Sequence, residues 1–139
     1  MNSQTISVFI AAAVERVYAF AANPLNLPAW VPSFCQSIAR VDGDWVVQSP
    51  LGAVVFAFAP RNDFGVLDHA VTLPSGVTLT NPMRVIANGA GSEVLFTLFQ
   101  HEGMSDEQFR ADAALVRNDL ETLRRVLEAV APGTESANP

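Results

Sequence analysis

The chain has 139 residues, half of them hydrophobic and 16% charged, with a formal net charge of -6 and a pI near 4.7. This length suits one domain that buries about two-thirds of the surface its unfolded form exposes, and the apolar content excludes a disordered tail protein. The acidic balance repels phosphate backbones and anionic bilayers, so no nucleic acid partner is expected. One cysteine, Cys35, excludes an internal disulfide and fits a reducing cytoplasm.

Residues 5–10 alternate Ile6, Val8 and Ile10 with Ser7 and Phe9, the pattern of a first strand with one buried face. Residues 8–14 are apolar, yet no basic region precedes them, and Glu15 and Arg16 fall where a secretion signal needs apolar residues. The best apolar run, residues 51–59, is about half the roughly 18 residues of a membrane span, so a cytoplasmic protein without membrane insertion is expected. A helix follows over residues 12–22, with Val14, Val17, Tyr18 and Ala21 on one side, and Asn23-Pro24 ends it. Pro24, Pro28 and Pro32 then divide the chain into a second short helix or turns around Trp30.

From Cys35 onward turn signals separate short apolar runs. Strands are predicted over residues 35–41, 45–49, 53–59, 65–73, 77–87 and 92–101, linked closely enough to be antiparallel. With the first strand they make seven. Alternation turns Leu67, Val71, Leu73, Val77, Leu79, Met83, Val94, Phe96 and Leu98 inward, and His69 with them, while Asp68 and Arg84 point out. A bulge at Asn81-Pro82 would reverse everything after it in that strand.

Residues 104–130 carry the longest helical pattern. Ser105 and Gln108 form a capping box, and Met104 on Phe109 completes a hydrophobic staple. Phe109, Ala113, Val116, Leu120, Leu123 and Leu127 make one apolar stripe, with Asp106/Arg110 and Glu121/Arg125 at pairing distance on the wet side. Pro132 and Gly133 stop the helix, which is roughly 39 Å long at about 1.5 Å per residue. The reading is one domain over residues 1–133 and a loose tail over 134–139.

Val17-Tyr18-Ala19-Phe20 with Asn23-Pro24 and Trp30, then Gly103-Met104-Ser105-Asp106-Glu107 with Asp119-Leu120 and Leu123, resemble the START-like (SRPBCC) superfamily, in particular its polyketide cyclase/dehydrase-type branch. The resemblance covers nearly the whole chain. It implies an α+β helix-grip fold: a seven-stranded curved antiparallel sheet wrapped around a long C-terminal helix, with two short helices after the first strand. It also implies a cleft between sheet and helix that holds an apolar small molecule. It does not imply one activity, because members bind lipids, hormones or quinones, cyclise polyketides, or act on partner proteins.

Within that cleft the expected ligand wall is Trp30, Phe56, His69, Val71, Met83, Phe96 and Leu98, faced by Phe109, Ala113 and Val116 from the helix. His69 is either a ligand-binding or acid/base group, or a core histidine satisfied by a backbone carbonyl or by Asp63. Asp63 caps a turn or orients His69; Arg84 is a solvated strand residue, or an inward cation if the chain bulges. His101 reads as a surface or capping residue, and Cys35 as a buried hydrophobe.

No metal or cofactor is expected. Gly89-Ala90-Gly91 lacks a third glycine and a following helix, so it is a hairpin turn, and the two histidines have no third spaced ligand. Three functions stay open: a carrier or sensor of a small hydrophobic ligand; a metal-independent cyclase, dehydratase or isomerase; and a protein-interaction module, including a homodimer through convex residues such as Leu95 and Phe99.

Overall fold

Pro82 divides the strand that alternation predicts over residues 77–87, and the division makes two sheets of one. The computed structural model describes residues 1–129; the predicted helix stop at Pro132-Gly133 and the tail lie outside the described residues. Chain order is β1 (Ser3–Ile10), α1 (Val14–Ala21), a 3-10 turn (Pro24–Asn26), α2 (Leu27–Trp30), β2 (Ser37–Val41), β3 (Asp44–Ser49), β4 (Gly52–Phe58), β5 (His69–Thr72), β6 (Thr78–Asn81), β7 (Met83–Asn88), β8 (Gly91–Phe99) and α3 (Asp106–Glu128). These are the elements of a helix-grip fold, with eight strands among the described residues where alternation predicts seven.

One sheet has the order β1-β8-β7 and the other β2-β3-β4-β5-β6, with every pairing antiparallel. Pro82 lacks an N–H and cannot continue a ladder as donor, though its carbonyl accepts from Thr97 N at 3.0 Å. It does not reverse the faces. Met83 and Val85 are both 1% exposed, and Arg84 points outward as alternation predicts. Val77, predicted inward, precedes β6 and is exposed.

The predicted strand 65–73 is also divided. Gly65 and Leu67 bond to the first sheet, through Val85 N to Gly65 O and Leu67 N to Met83 O, both 2.9 Å, whereas β5 pairs with β4 and β6 in the second. The chain changes sheets at Asp68. Its carboxylate accepts from Met83 N at 2.8 Å and pairs with the Arg84 guanidinium. The approach of Gly65 to β7 requires glycine: φ is +70°, and a Cβ there would sit 2.1 Å from the Val85 carbonyl oxygen.

Ser105 caps α3 by accepting from Gln108 N at 3.0 Å, and Asp106 and Glu107 occupy the first turn as the helix dipole favours. Gln108 does not close the box; its side chain donates to Asp112 Oδ1 at 2.7 Å. Glu121 pairs with Arg124 at 2.8 Å rather than with Arg125, whose guanidinium meets Thr122 Oγ1. At the far end the Arg16 guanidinium donates to the Leu127 carbonyl, and Ala11 N donates to Glu128 at 2.8 Å, fixing the helix against the start of α1. Ala113, Leu120, Leu123 and Leu127 are buried in one core with Ile6, Val8 and Ile10 of β1.

Candidate functional site

Between α3 and the concave sides of both sheets lies a cavity of about 450 Å³. Its floor comes from four strands. Phe56 and Phe58 stand on β4, His69 and Val71 on β5, Leu79 and Asn81 on β6, and Phe96 and Leu98 on β8, each pair two residues apart and therefore on one face. Trp30 and Leu27 of α2 close one end. The exposed lining residues Ser33, Pro50, Leu51, Gln108 and Leu115 form its mouth.

His69 is 8% exposed and boxed by aromatic rings. Phe56 stacks on it at 5.0 Å between centroids, with Phe58 edge-on at 5.7 Å and Phe96 tilted at 5.6 Å. Its Nδ1 lies 3.1 Å from the Leu67 carbonyl oxygen. A carbonyl can only accept, so Nδ1 carries the proton and Nε2 is left as the acceptor of a neutral ring. Burial pushes its pKa below the ordinary histidine value, against smaller opposing effects of the Leu67 carbonyl and of Asp68. Asp63 has no part in this; it is exposed and off the cavity wall. The turn belongs to Asn62, whose Oδ1 accepts from Phe64 N and Val66 N, both at 3.0 Å.

Seven of the ten predicted wall residues lie on the cavity: Trp30, Phe56, His69, Val71, Phe96, Leu98 and Val116. Met83, Phe109 and Ala113 do not. Met83 is packed in the first sheet, and Ala113 belongs to the stripe of α3 that contacts β1. Besides Val116 and Leu120 of the stripe, α3 lines the cavity with a flank of Gln108, Asp112, Leu115 and Asp119, about a quarter turn round the helix from the core stripe. That flank is the one predicted to be wet. Arg84 stays outside with Asp68 and brings no charge to the cavity. Phe99 and His101, read as convex or surface residues, both line the wall, their ring centroids 6.5 Å apart.

Asp119 is the unusual acid. Burial lifts its carboxyl from 3.8 to about 7, while a hydrogen bond from the Ser33 hydroxyl pulls the other way. Beside Ser33 in the chain, Trp30 is 3% exposed, and its indole N–H makes no hydrogen bond among the described residues. The wall is thus aromatic, with a neutral histidine on the sheet side and an easily protonated carboxyl on the helix side. Among the described residues no group of three or more metal-ligating side chains occurs, and no helix is long and apolar enough to cross a membrane.

No family model matches the chain, and no curated protein sequence does. Solved structures match over most of its length. The protein XoxI from Bacillus cereus superposes with a TM-score of 0.72 at 18% identity, covering 92% of this chain and 96% of the other. The Aha1 dimer from Colwellia psychrerythraea gives 0.71 at 15% identity over 92% and 97%. The di-domain ARO/CYC StfQ of the steffimycin biosynthetic pathway gives 0.64 at 13% identity, over 91% of this chain and 50% of that one. These identities speak to the fold alone.

Proposed function

We propose that the protein binds a small, mostly apolar molecule with aromatic character in the cavity between the sheets and α3. The observation that carries this reading is the wall itself: about 450 Å³, lined largely by aromatic and aliphatic side chains with a few separated polar groups, the usual form of a small-molecule site. In this reading Phe56, Phe58 and Phe96 hold a flat body, and His69 Nε2 accepts a hydrogen bond from a ligand hydroxyl or amine. The matching of this fold to an ARO/CYC protein supports the polyketide cyclase/dehydrase-type branch as an analogy of fold and not of activity.

Native mass spectrometry of freshly purified protein tests the proposal, together with titration of an apolar fluorescent probe. A bound small molecule or saturable probe binding is expected, and His69→Gln should weaken binding more than it lowers stability. A protein that carries no ligand and is stabilised by no hydrophobic compound contradicts the proposal.

A second reading is a metal-independent cyclase, dehydratase or isomerase. It is favoured by one observation: His69 does not stand alone, because Asp119 lines the same cavity and titrates near neutral pH. Turnover that is lost in both His69→Gln and Asp119→Asn, with binding retained, would move the assignment from carrier to enzyme. A homodimer, the state of the Aha1 neighbour, is tested by size-exclusion chromatography with light scattering.

A further inference from the structure

The electrostatics of the wall are one-sided. Asp112 and Asp119 line the cavity on the helix flank, and among the described residues no lysine or arginine lines it. Arg84, on the strand that follows β6, is turned outward and paired with Asp68. His69 is held neutral by burial, which outweighs the opposing effects of the Leu67 carbonyl and of Asp68, so the sheet side offers no positive charge either. A carboxylate entering this space would meet two acids and no counter-ion, and a buried unpaired anion is costly. An ammonium would meet the opposite: a carboxylate on one side and a wall that includes Trp30, Phe34, Phe56 and Phe96, whose rings can add cation–π attraction to the ion pair.

We infer that the cavity is selective for charge as well as for shape: it takes an aromatic or otherwise apolar body bearing a protonated amine, with Asp119 as its counter-ion. The inference rests on the proposed ligand-binding role, and it assigns the class of ligand. Asp119 acts from the helix and His69 from the sheet, so the two polar ends of such a molecule are held from opposite walls.

The test is a matched series of naphthalene probes, 2-(1-naphthyl)ethylamine, 2-(1-naphthyl)ethanol and 1-naphthylacetate, titrated calorimetrically against the full chain at neutral pH. The amine is expected to bind about tenfold or more tighter than the carboxylate, with the alcohol between them, as a charge-assisted hydrogen bond at a partly buried site implies. In Asp119→Asn the amine should fall to the level of the alcohol, whose affinity stays within about twofold of the parent's; Asp119→Ser serves as a second variant if the amide disturbs Ser33. Equal or better binding of the carboxylate, or an amine preference that survives both variants, overturns the inference while leaving a ligand cavity in place. Failure of all three probes, the neutral alcohol included, overturns the cavity reading and this inference with it.

Discussion

Replacing Asp119 by asparagine should change how stability depends on pH, and the sign and size follow from the cavity. Burial lifts the folded carboxyl from 3.8 to about 7. Between those values the folded chain holds a proton that the unfolded chain has released, so stability falls as pH rises. The contribution is fully present below about 3.8 and is lost on passing through about 7. Over the whole interval a fully buried carboxyl would contribute about 4 kcal/mol, at about 1.4 kcal/mol per tenfold in proton affinity. Roughly half of that falls between about pH 5.5 and about pH 8.5, and the mouth of the cavity admits water to a half-buried Asp119, so screening reduces the change to about 1 kcal/mol.

The parent should therefore lose about 4 °C of melting temperature across that window relative to Asp119→Asn, as followed by circular dichroism. The other titratable groups on the cavity are Asp112 on the same helix, His69 on β5 and His101 beyond β8, all present in both proteins. His69 works in the opposite direction. Its lowered pKa gives stability that is present above the ordinary histidine value and lost as pH falls, and it cancels in the comparison. Parallel pH profiles for parent and variant would refute the reasoning, because they would place an ordinary ionised carboxylate at position 119.

Gly65→Ala should cost about 3 kcal/mol or more in urea unfolding, since its Cβ meets the Val85 carbonyl at a positive φ, whereas Gly43→Ala, with open space around it, should cost about 1 kcal/mol; equal effects would remove the steric argument. Leu123→Ala, at 0% exposure in the α3 stripe, should cost about 2–5 kcal/mol by the same measurement, and a loss under about 1 kcal/mol would mean that α3 is not anchored there. Ser92→Ala leaves the buried Ala12 carbonyl without its 2.6 Å donor and should cost about 1–3 kcal/mol, checked against Ser75→Ala on an exposed turn, which should be near neutral.

Period-two alternation located the concave face correctly, because a strand has only two sides and the apolar residues of β5, β7 and β8 choose one of them strongly. The helix could not be read so far. Its sheet-packed stripe follows from spacing, but a flank that borders a cavity carries polar residues just as a solvated flank does. Asp112 and Asp119 were therefore indistinguishable from surface acids. The available signal was Leu115, an apolar residue three positions after Asp112 and four before Asp119, out of place on a wet face. Pro82 and Asp68 were visible as residues, but where the chain leaves one sheet for the other depends on partners distant in sequence. Met83 illustrates the result: it points inward as predicted, yet faces packed core and not the cavity.

The junction at Asp68 makes the floor of the cavity two plates that meet at a seam, not one curved plate. Phe96 and Leu98 belong to one plate, and Phe56, Phe58, His69 and Val71 to the other, so the distance between them is set along a seam. Asp68, Met83 N and Arg84 fasten that seam from the outer surface. A substitution at Asp68 or Arg84 would therefore change the width available to a ligand without altering any residue the ligand touches, and cavities of different bore can arise on this chain from changes made entirely outside the binding wall.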